Sequence, residues 1–267
     1  MTPRSNALRL ILLSLAMLTG AAPALARDTA LPLLPSQDAP WLYRGSDVPR
    51  DKEWIFGTLP NGLRWAVRKN GVPPGQVSIR VRMDVGSIYE AKGEEGFAHL
   101  LEHLVFKGTP RHKDIPKELT DHGTRPNGST WYDRTNYFEV VPKTQLPLVL
   151  WLESDRMGYL ITALDEAKVA RERSVVLQEW RERVSGRASG WLTEVVQQQI
   201  YPPGHPYHLV GDDPNHVASI RLAHVQWFLQ QYYVPNNAVL VVTGDIDPVR
   251  AKELVGKYFK DIPRGAD

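Results

Sequence analysis

Apolar residues form two short runs in the segment that begins at Asp51, and short apolar runs bounded by turn residues predict β-strands. Residues 54–58 and 63–68 lie on either side of an Asn61-Gly62 turn. Asn-Gly between two apolar runs is typical of the tight connection in a hairpin. The segment therefore predicts two strands joined by a short turn.

The period then changes from that of a strand to that of a helix. Over residues 77–85, Val, Ile, Val, Met and Val stand at every second position, which predicts a half-buried strand. From Glu94 to Phe106 the apolar residues recur at helical spacing, and Gly108 follows as a plausible helix stop. We therefore expect a strand followed by an amphipathic helix.

The remaining patterns give further helices and two more strands. Strands are predicted within 130–141, closed by Pro142, and at 238–243. Helices are predicted over 115–122, 146–160, 165–184, 191–200, 224–233 and 248–259. Because strands and helices come in clusters rather than in strict alternation, the predicted fold class is α+β, with a mixed, largely antiparallel sheet packed against several helices.

The first 26 residues have the layout of a secretory signal peptide. Arg4 and Arg9 precede an uncharged apolar run over residues 10–18, and small residues lead to Ala24-Leu25-Ala26. The alternative is an uncleaved membrane anchor, but the apolar run is shorter than the roughly 20 residues that a spanning helix needs. We therefore expect export to the periplasm or secretion, with no stable membrane span once the signal is removed.

The amino-acid composition of the whole chain is that of an ordinary globular protein. The 267 residues are 42% hydrophobic and 23% charged, with 32 Lys and Arg against 30 Asp and Glu, so nothing indicates a nucleic-acid binder. Four prolines in residues 27–50 predict a linker, and one domain is expected over residues 51–267. The chain has no cysteine, so disulfides and a cysteine-linked lipid are excluded.

The segment His99-Leu-Leu-Glu102-His103 carries the first candidate chemistry. Two histidines four residues apart lie on one helix face, so both imidazoles can reach one metal ion, with Glu102 close to a water at that ion. The alternative is a solvated or hydrogen-bonded pair of histidines on an amphipathic helix. Leucines flank the motif, and burying imidazoles without a partner is costly, which favours the metal.

A catalytic zinc usually takes three protein ligands, so a third is needed. Glu172 and Glu179 are seven residues apart and therefore share one helix face with Val169 and Val176. The alternative is that both are surface glutamates among the neighbouring arginines. Spacing alone leaves these two possibilities open.

The motif together with its surroundings resembles the N-terminal domain of the insulinase/pitrilysin (inverzincin) family of zinc metallopeptidases. The resemblance rests on the pentad, the following Phe106-Lys-Gly-Thr and the distant Glu179. It implies that His99, His103 and Glu179 bind one Zn²⁺ per chain and that Glu102 activates the attacking water. It also implies that Glu172 supports the site electrostatically, as a secondary catalytic residue. The implied activity is that of a zinc metalloendopeptidase acting on extended peptides or small proteins.

Two other stretches are similar to the same family. Residues 123–137 look like the segment that leads into a substrate-receiving edge strand, and Asn127-Gly128 stands where the family commonly has Asn-Ala. The resemblance implies substrate binding by Asn127, Gly128 and Thr130. We expect a peptide substrate to pair with an exposed strand around 135–141, the alternative being that this strand lies inside the sheet. Residues 233–245 resemble the strand that closes the family's first domain.

Members of the family normally carry a second, homologous domain after this point. We expect the given sequence to correspond to the first domain alone, as a fragment, as half of a two-chain enzyme, or as a protein that works without the second half. The expected partners are therefore a peptide substrate and a second peptidase-like domain or chain, or a second copy of this chain. The alternative function is that of a non-catalytic or truncated peptidase-like subunit. The presence of all four chemical positions, the three ligands and Glu102, argues against that alternative.

Overall fold

A mixed six-stranded sheet is the centre of the compact unit, and its strands lie side by side in the order 54–58, 64–69, 238–244, 76–83, 135–142 and 127–130. The structure is a computed structural model that describes residues 41, 47, 49–124, 126–205, 207–208 and 211–266. The predicted signal peptide and most of the predicted linker lie outside the described residues. From Asp51 onward the chain forms one compact unit.

The sheet confirms the predicted α+β class. The strands are β1 (Trp54–Thr58), β2 (Arg64–Lys69), β3 (Gln76–Met83), β4 (Asn127–Thr130), β5 (Thr135–Pro142) and β6 (Ala238–Gly244). Only the β2–β6 pair is parallel among the strand pairs of the described residues, and the others are antiparallel. Alternate residues of β3, from Val77 to Met83, are buried, as its period of two requires.

Eight helices accompany the sheet in the described part of the chain. They are α1 (Phe97–Val105), α2 (Ile115–Asp121), α3 (Leu146–Tyr159), α4 (Glu166–Trp180), α5 (Leu192–Ile200), α6 (Pro214–Ser219), α7 (Leu222–Tyr232) and α8 (Pro248–Phe259). Helix α1 packs against β4, α4 and α7, while α3 packs against α8, which also contacts β2. Helix α1 thus lies between one end of the sheet and the helices that follow in sequence.

The expectation that the strand at 135–141 is exposed for substrate is wrong for its first half. Strand β5 pairs with β3 along its whole length and with β4 over Thr135–Phe138, so that half lies inside the sheet. The chain turns between Trp131 and Arg134, where the Trp131 N–H donates to the Arg134 carbonyl at 2.8 Å. That turn creates a separate short strand, β4, and makes β4 the outermost strand.

Two helical features differ from the sequence prediction. The helix predicted over 165–184 is α-helical only to Trp180, and a π-helical turn follows at Arg181–Ser185. The short helix α6 was missed; it begins with Pro214 directly after Asp213, whose side chain caps its first turn. None of the helices in the described ranges has the length and apolar character needed to cross a membrane.

Candidate metal centre

Three side chains that carry possible metal-binding atoms converge from two helices on one point. His99 Nε2 and His103 Nε2 are 3.3 Å apart, and the Glu179 carboxylate lies 3.7 Å from the first nitrogen and 3.6 Å from the second. Zinc bonds of 2.0–2.1 Å in tetrahedral geometry place neighbouring ligand atoms about 3.3 Å apart. The nitrogen–nitrogen separation matches this spacing, and the two carboxylate separations, 3.7 Å to Oε2 and 3.6 Å to Oε1, are a few tenths of an ångström longer. The three side chains therefore lie within reach of one ion.

Helix periodicity explains why these atoms meet. On α1, the apolar residues from Phe97 to Val105 are buried, while His99 and His103 share a half-buried face one turn apart. On α4, Val169, Glu172 and Val176 are buried on the side that packs against α1. Glu179 continues that row by one further turn and so reaches the histidines.

The Glu179 carboxylate already has one cationic neighbour. Its Oε2 is buried and makes no hydrogen bond of good geometry in the described structure, but Arg183 forms an ion pair with it at 2.7 Å. A buried carboxylate oxygen without an aligned donor is costly, and the nearby guanidinium reduces that cost. The donor set of two imidazoles and one carboxylate is the type that zinc accepts.

The two histidines differ in their tendency to bind a proton. Burial lowers the pKa of His99, but the hydrogen bond and charge of Asp212 outweigh that cost and leave the pKa raised. For His103, burial and then the neighbouring His99 charge lower the pKa. His103 is thus favoured in the neutral form, which is the form that binds a metal.

Asp212 is a site residue that the sequence analysis missed. Its Oδ2 lies 2.6 Å from His99 Nδ1, on the side of the ring opposite the shared point. The two residues are 113 positions apart, and Asp212 stands in a loop with no periodic pattern. The only local signal is the Gly-Asp-Asp-Pro sequence, which predicts a helix start at Asp213 rather than a contact with a histidine.

Glu172 lies behind His103 rather than beside the shared point. It is 3% exposed, so the alternative of a surface glutamate is wrong for this residue. Its carboxylate lies 3.0 Å from Lys107 Nζ and 3.7 Å from His103 Nδ1. Glu172 therefore connects a lysine after α1 to the outer nitrogen of His103.

Glu102 faces the edge strand β4. It accepts a 2.6 Å hydrogen bond from the Thr130 hydroxyl. A Cβ added to Gly128 would lie 2.8 Å from Glu102 Oε1, so this glycine lies directly against the carboxylate. Of the three residues predicted to bind substrate, Thr130 and Gly128 thus contact Glu102, whereas Asn127 is exposed beside the cleft.

An open cleft of about 920 Å³ contains the candidate centre. The three candidate ligands and Glu102 line it, together with residues of β4, the π-helical turn and the start of α5. Carboxylates outnumber cationic side chains among the lining residues. Asn127, Ser129 and Thr130 of β4 are among the lining residues, so the edge strand borders the cleft.

Comparison with protein families gives two matches along the chain. The family described as Insulinase (Peptidase family M16) matches residues 67–206, which include all the residues of the candidate centre except Asp212. The domain described as Peptidase M16 inactive domain matches residues 219–267. The two matches together cover most of the compact unit.

Two bacterial proteases are among the relatives of this chain. The chain is 30% identical over 232 residues to "Probable zinc protease PqqL" of Escherichia coli and 34% identical over 211 residues to "Zinc protease PqqE" of Helicobacter pylori. These alignments cover 81% and 77% of this chain, but only 24% and 46% of the relatives. The crystal structure of the first half of the periplasmic protease PqqL matches with a TM-score of 0.75 and 26% identity, over 83% of this chain and 49% of that one. The chain thus spans less than half of the length of these relatives.

Proposed function

The chain belongs to the insulinase family of peptidases, peptidase family M16, and from that premise we propose that it acts as a zinc-dependent metalloendopeptidase. The observation that carries the proposal is the convergence of His99, His103 and Glu179 at separations that suit zinc. The proposed substrates are extended peptides or small proteins.

Each residue of the centre has a proposed role. His99, His103 and Glu179 hold the zinc, which when bound supplies a Lewis acid that favours ionised water and negative charge on oxygen. Glu102 accepts a proton from the water that attacks the peptide carbonyl carbon. As the C–N bond breaks, Glu102 donates that proton to the leaving amine nitrogen. The hydrogen bond from Thr130 orients the Glu102 carboxylate during both transfers.

The edge strand supports a mode of substrate binding. In the described structure β4 pairs with β5 on one side, and its other side borders the cleft that holds Glu102. An extended peptide can add to such an edge through main-chain hydrogen bonds. We propose that Asn127, Gly128 and Thr130 place the scissile bond near Glu102, which predicts broad side-chain tolerance.

Exposed apolar residues next to the cleft support a partner. Trp191, Leu192, Val196 and Ile200 at and along α5 are exposed, and such a patch is typical of an interaction surface. A second peptidase-like domain or chain, or a second copy of this chain, is the proposed occupant. Export to the periplasm is proposed from the pattern of residues 1–26 and from the periplasmic relative.

The deciding experiment measures hydrolysis of a fluorogenic peptide by the purified chain. We expect turnover that a chelator abolishes and added zinc restores. Glu102→Gln is expected to keep its zinc and lose turnover, whereas the control Glu253→Gln, at an exposed position of α8, keeps both. Turnover by Glu102→Gln at the wild-type rate would contradict the assigned role.

The same assay separates the two candidate functions. It is repeated in the presence of the product of any adjoining reading frame, because a partner chain can complete the site. Zinc binding without turnover in either condition would favour a non-catalytic subunit. Turnover only in the mixture would identify a two-chain peptidase.

A further inference from the structure

Among the polar contacts that His99 and His103 make with described residues, the shortest joins the outer nitrogen of His99 to the Asp212 carboxylate. We propose that Asp212 is a positioning residue that fixes the tautomer and ring orientation of His99 and thereby strengthens zinc binding. The inference rests on the proposed function, because it concerns the same metal centre. It assigns a role to a residue outside the motifs that carry the resemblance.

The chemistry of the two groups determines which atom carries the proton. An ionised carboxylate can only accept hydrogen bonds, so at 2.6 Å His99 Nδ1 must be the donor. In the neutral ring, Nε2 then keeps its lone pair and points toward His103 and Glu179. Both partners are largely buried, with side-chain exposures of 17% and 19%, so water competes little for this hydrogen bond.

The fold holds Asp212 in place from both sides. The next residue, Asp213, caps α6 through its side chain, and α6 packs against α4. On the other side, the loop lies close to the start of α1: a Cβ added to Gly96 would lie 2.4 Å from Val217 and 3.4 Å from Asp212. The approach of α6 to α1 therefore depends on a glycine at position 96, and it brings Asp212 to His99.

Among the residues that the structure describes, His103 has no comparable partner. Its outer nitrogen is 3.7 Å from Glu172, which is too long for a hydrogen bond, and that carboxylate is shared with Lys107. Hydrogen bonds from a metal-binding histidine to a carboxylate orient the ring and raise its basicity, and their loss costs roughly 10–100-fold in metal affinity or activity. Removal of Asp212 is therefore expected to weaken the site more than removal of Glu172.

Two measurements test the proposal. The first is zinc affinity, by competition with a chromophoric chelator, for the wild type, Asp212→Ala, Asp212→Asn and the control Asp213→Asn. The control changes the neighbouring carboxylate but keeps the helix cap, because Asn caps as well as Asp. The second is the tautomer of His99 in the metal-free protein, read from nitrogen-15 NMR at an alkaline pH where the ring is neutral.

We expect Asp212→Ala to bind zinc roughly 10–100-fold more weakly, Asp212→Asn to lie between it and the wild type, and the control to match the wild type. We also expect His99 to carry its proton on Nδ1 in the wild type and to lose that preference in Asp212→Ala. Wild-type affinity in Asp212→Ala, or an unchanged tautomer, would overturn the inference. If Asp212→Ala does not fold, Asp212→Asn decides by the same comparison with Asp213→Asn. A wild-type protein that binds no zinc would overturn the proposed function, and this inference with it.

Discussion

The Thr130 hydroxyl donates a 2.6 Å hydrogen bond to Oε2 of Glu102 and so connects the edge strand of the sheet to the helix with the histidine pair. The two residues are 28 positions apart, and both line the cleft. A base that must receive and return a proton needs a fixed direction, because proton transfer depends on hydrogen-bond geometry. The strand therefore contributes to the candidate chemistry through Glu102 as well as through its free edge.

Thr130→Val is expected to reduce kcat roughly tenfold or more, because a hydrogen bond to a charged group contributes about 1.5–3 kcal/mol. Zinc content should stay at the wild-type level, since Thr130 contacts none of the three ligands in the described structure. Peptide hydrolysis and metal analysis on the same sample measure both quantities. Thr130→Ser should restore the rate, and Ser129→Ala is the neighbouring control. Equal rates for Thr130→Val and the wild type would show that Glu102 does not need this hydrogen bond.

Glu179→Ala is expected to lose most of its zinc, because it removes one of three convergent ligands. Elemental analysis after dialysis measures the zinc content per chain. Glu182→Ala is the matched control, since Glu182 lies three residues further on and is exposed. Full zinc occupancy in Glu179→Ala would exclude this glutamate as a ligand.

Glu172→Gln is expected to keep its zinc and to weaken the affinity less than tenfold. The reason is the 3.7 Å separation from His103, which is not a hydrogen bond, together with the shape that Gln preserves. Chelator competition measures the affinity next to that of Asp212→Ala. A larger loss of zinc affinity in Glu172→Gln than in Asp212→Ala would mean that Glu172 contributes more to zinc binding than Asp212 does.

Arg156→Met is expected to destabilise the fold by about 3–5 kcal/mol, because it leaves the buried Glu153 carboxylate without its cation. Arg156 is fully buried, pairs with Glu153 and lies over the rings of Phe106 and Tyr137. The neighbouring Glu139 is also buried, and burial together with the Glu153 charge raises the pKa of Glu139 well above its usual value. Urea unfolding measures the change. Arg250→Met breaks an exposed pair on α8 and should cost about 1 kcal/mol or less, and an equally small loss for Arg156→Met would contradict the prediction.

The buried carboxyl group of Glu90 leads us to expect that the stability of the fold depends on pH. Burial raises the pKa of Glu90 to about 8, although its carboxylate accepts hydrogen bonds from the N–H groups of Gly96 and Ala98 at the start of α1. The folded state therefore keeps a proton that the unfolded chain releases near pH 4.5, so this contribution to the free energy of unfolding is present below about pH 4.5 and falls as pH rises toward 8.

Urea unfolding of the metal-free protein at several pH values between 5 and 8 tests this linkage. Glu90→Gln cannot titrate at this position. We expect the free energy of unfolding of this variant to fall less between pH 5 and 8 than that of the wild type, by an amount on the order of a few kcal/mol. A chelator is present throughout, because zinc binding has its own pH dependence. Parallel curves for the variant and the wild type would assign the decline to other groups.

The sequence alone determined the local parts of this protein. Helical and strand periods identified the α+β class and most of the elements, and they placed His99 with His103 on one face and Glu172 with Glu179 on another. Residues three, four or seven apart on a helix share a face whatever surrounds them, so such pairs can be inferred from spacing. The insulinase resemblance, which the family comparison confirms, followed from the same short motifs.

Only the tertiary structure decided which residues meet across long sequence separations. The contact of Asp212 with His99, the hydrogen bond of Thr130 with Glu102 and the position of β4 at the sheet edge had no periodic signal in the chain. Each depends on how strands pair and how helices pack, and many side chains that are distant in sequence contribute to that packing together. A local pattern shows which residues share a face of a helix or strand, whereas the free energy of the whole fold decides what that face packs against.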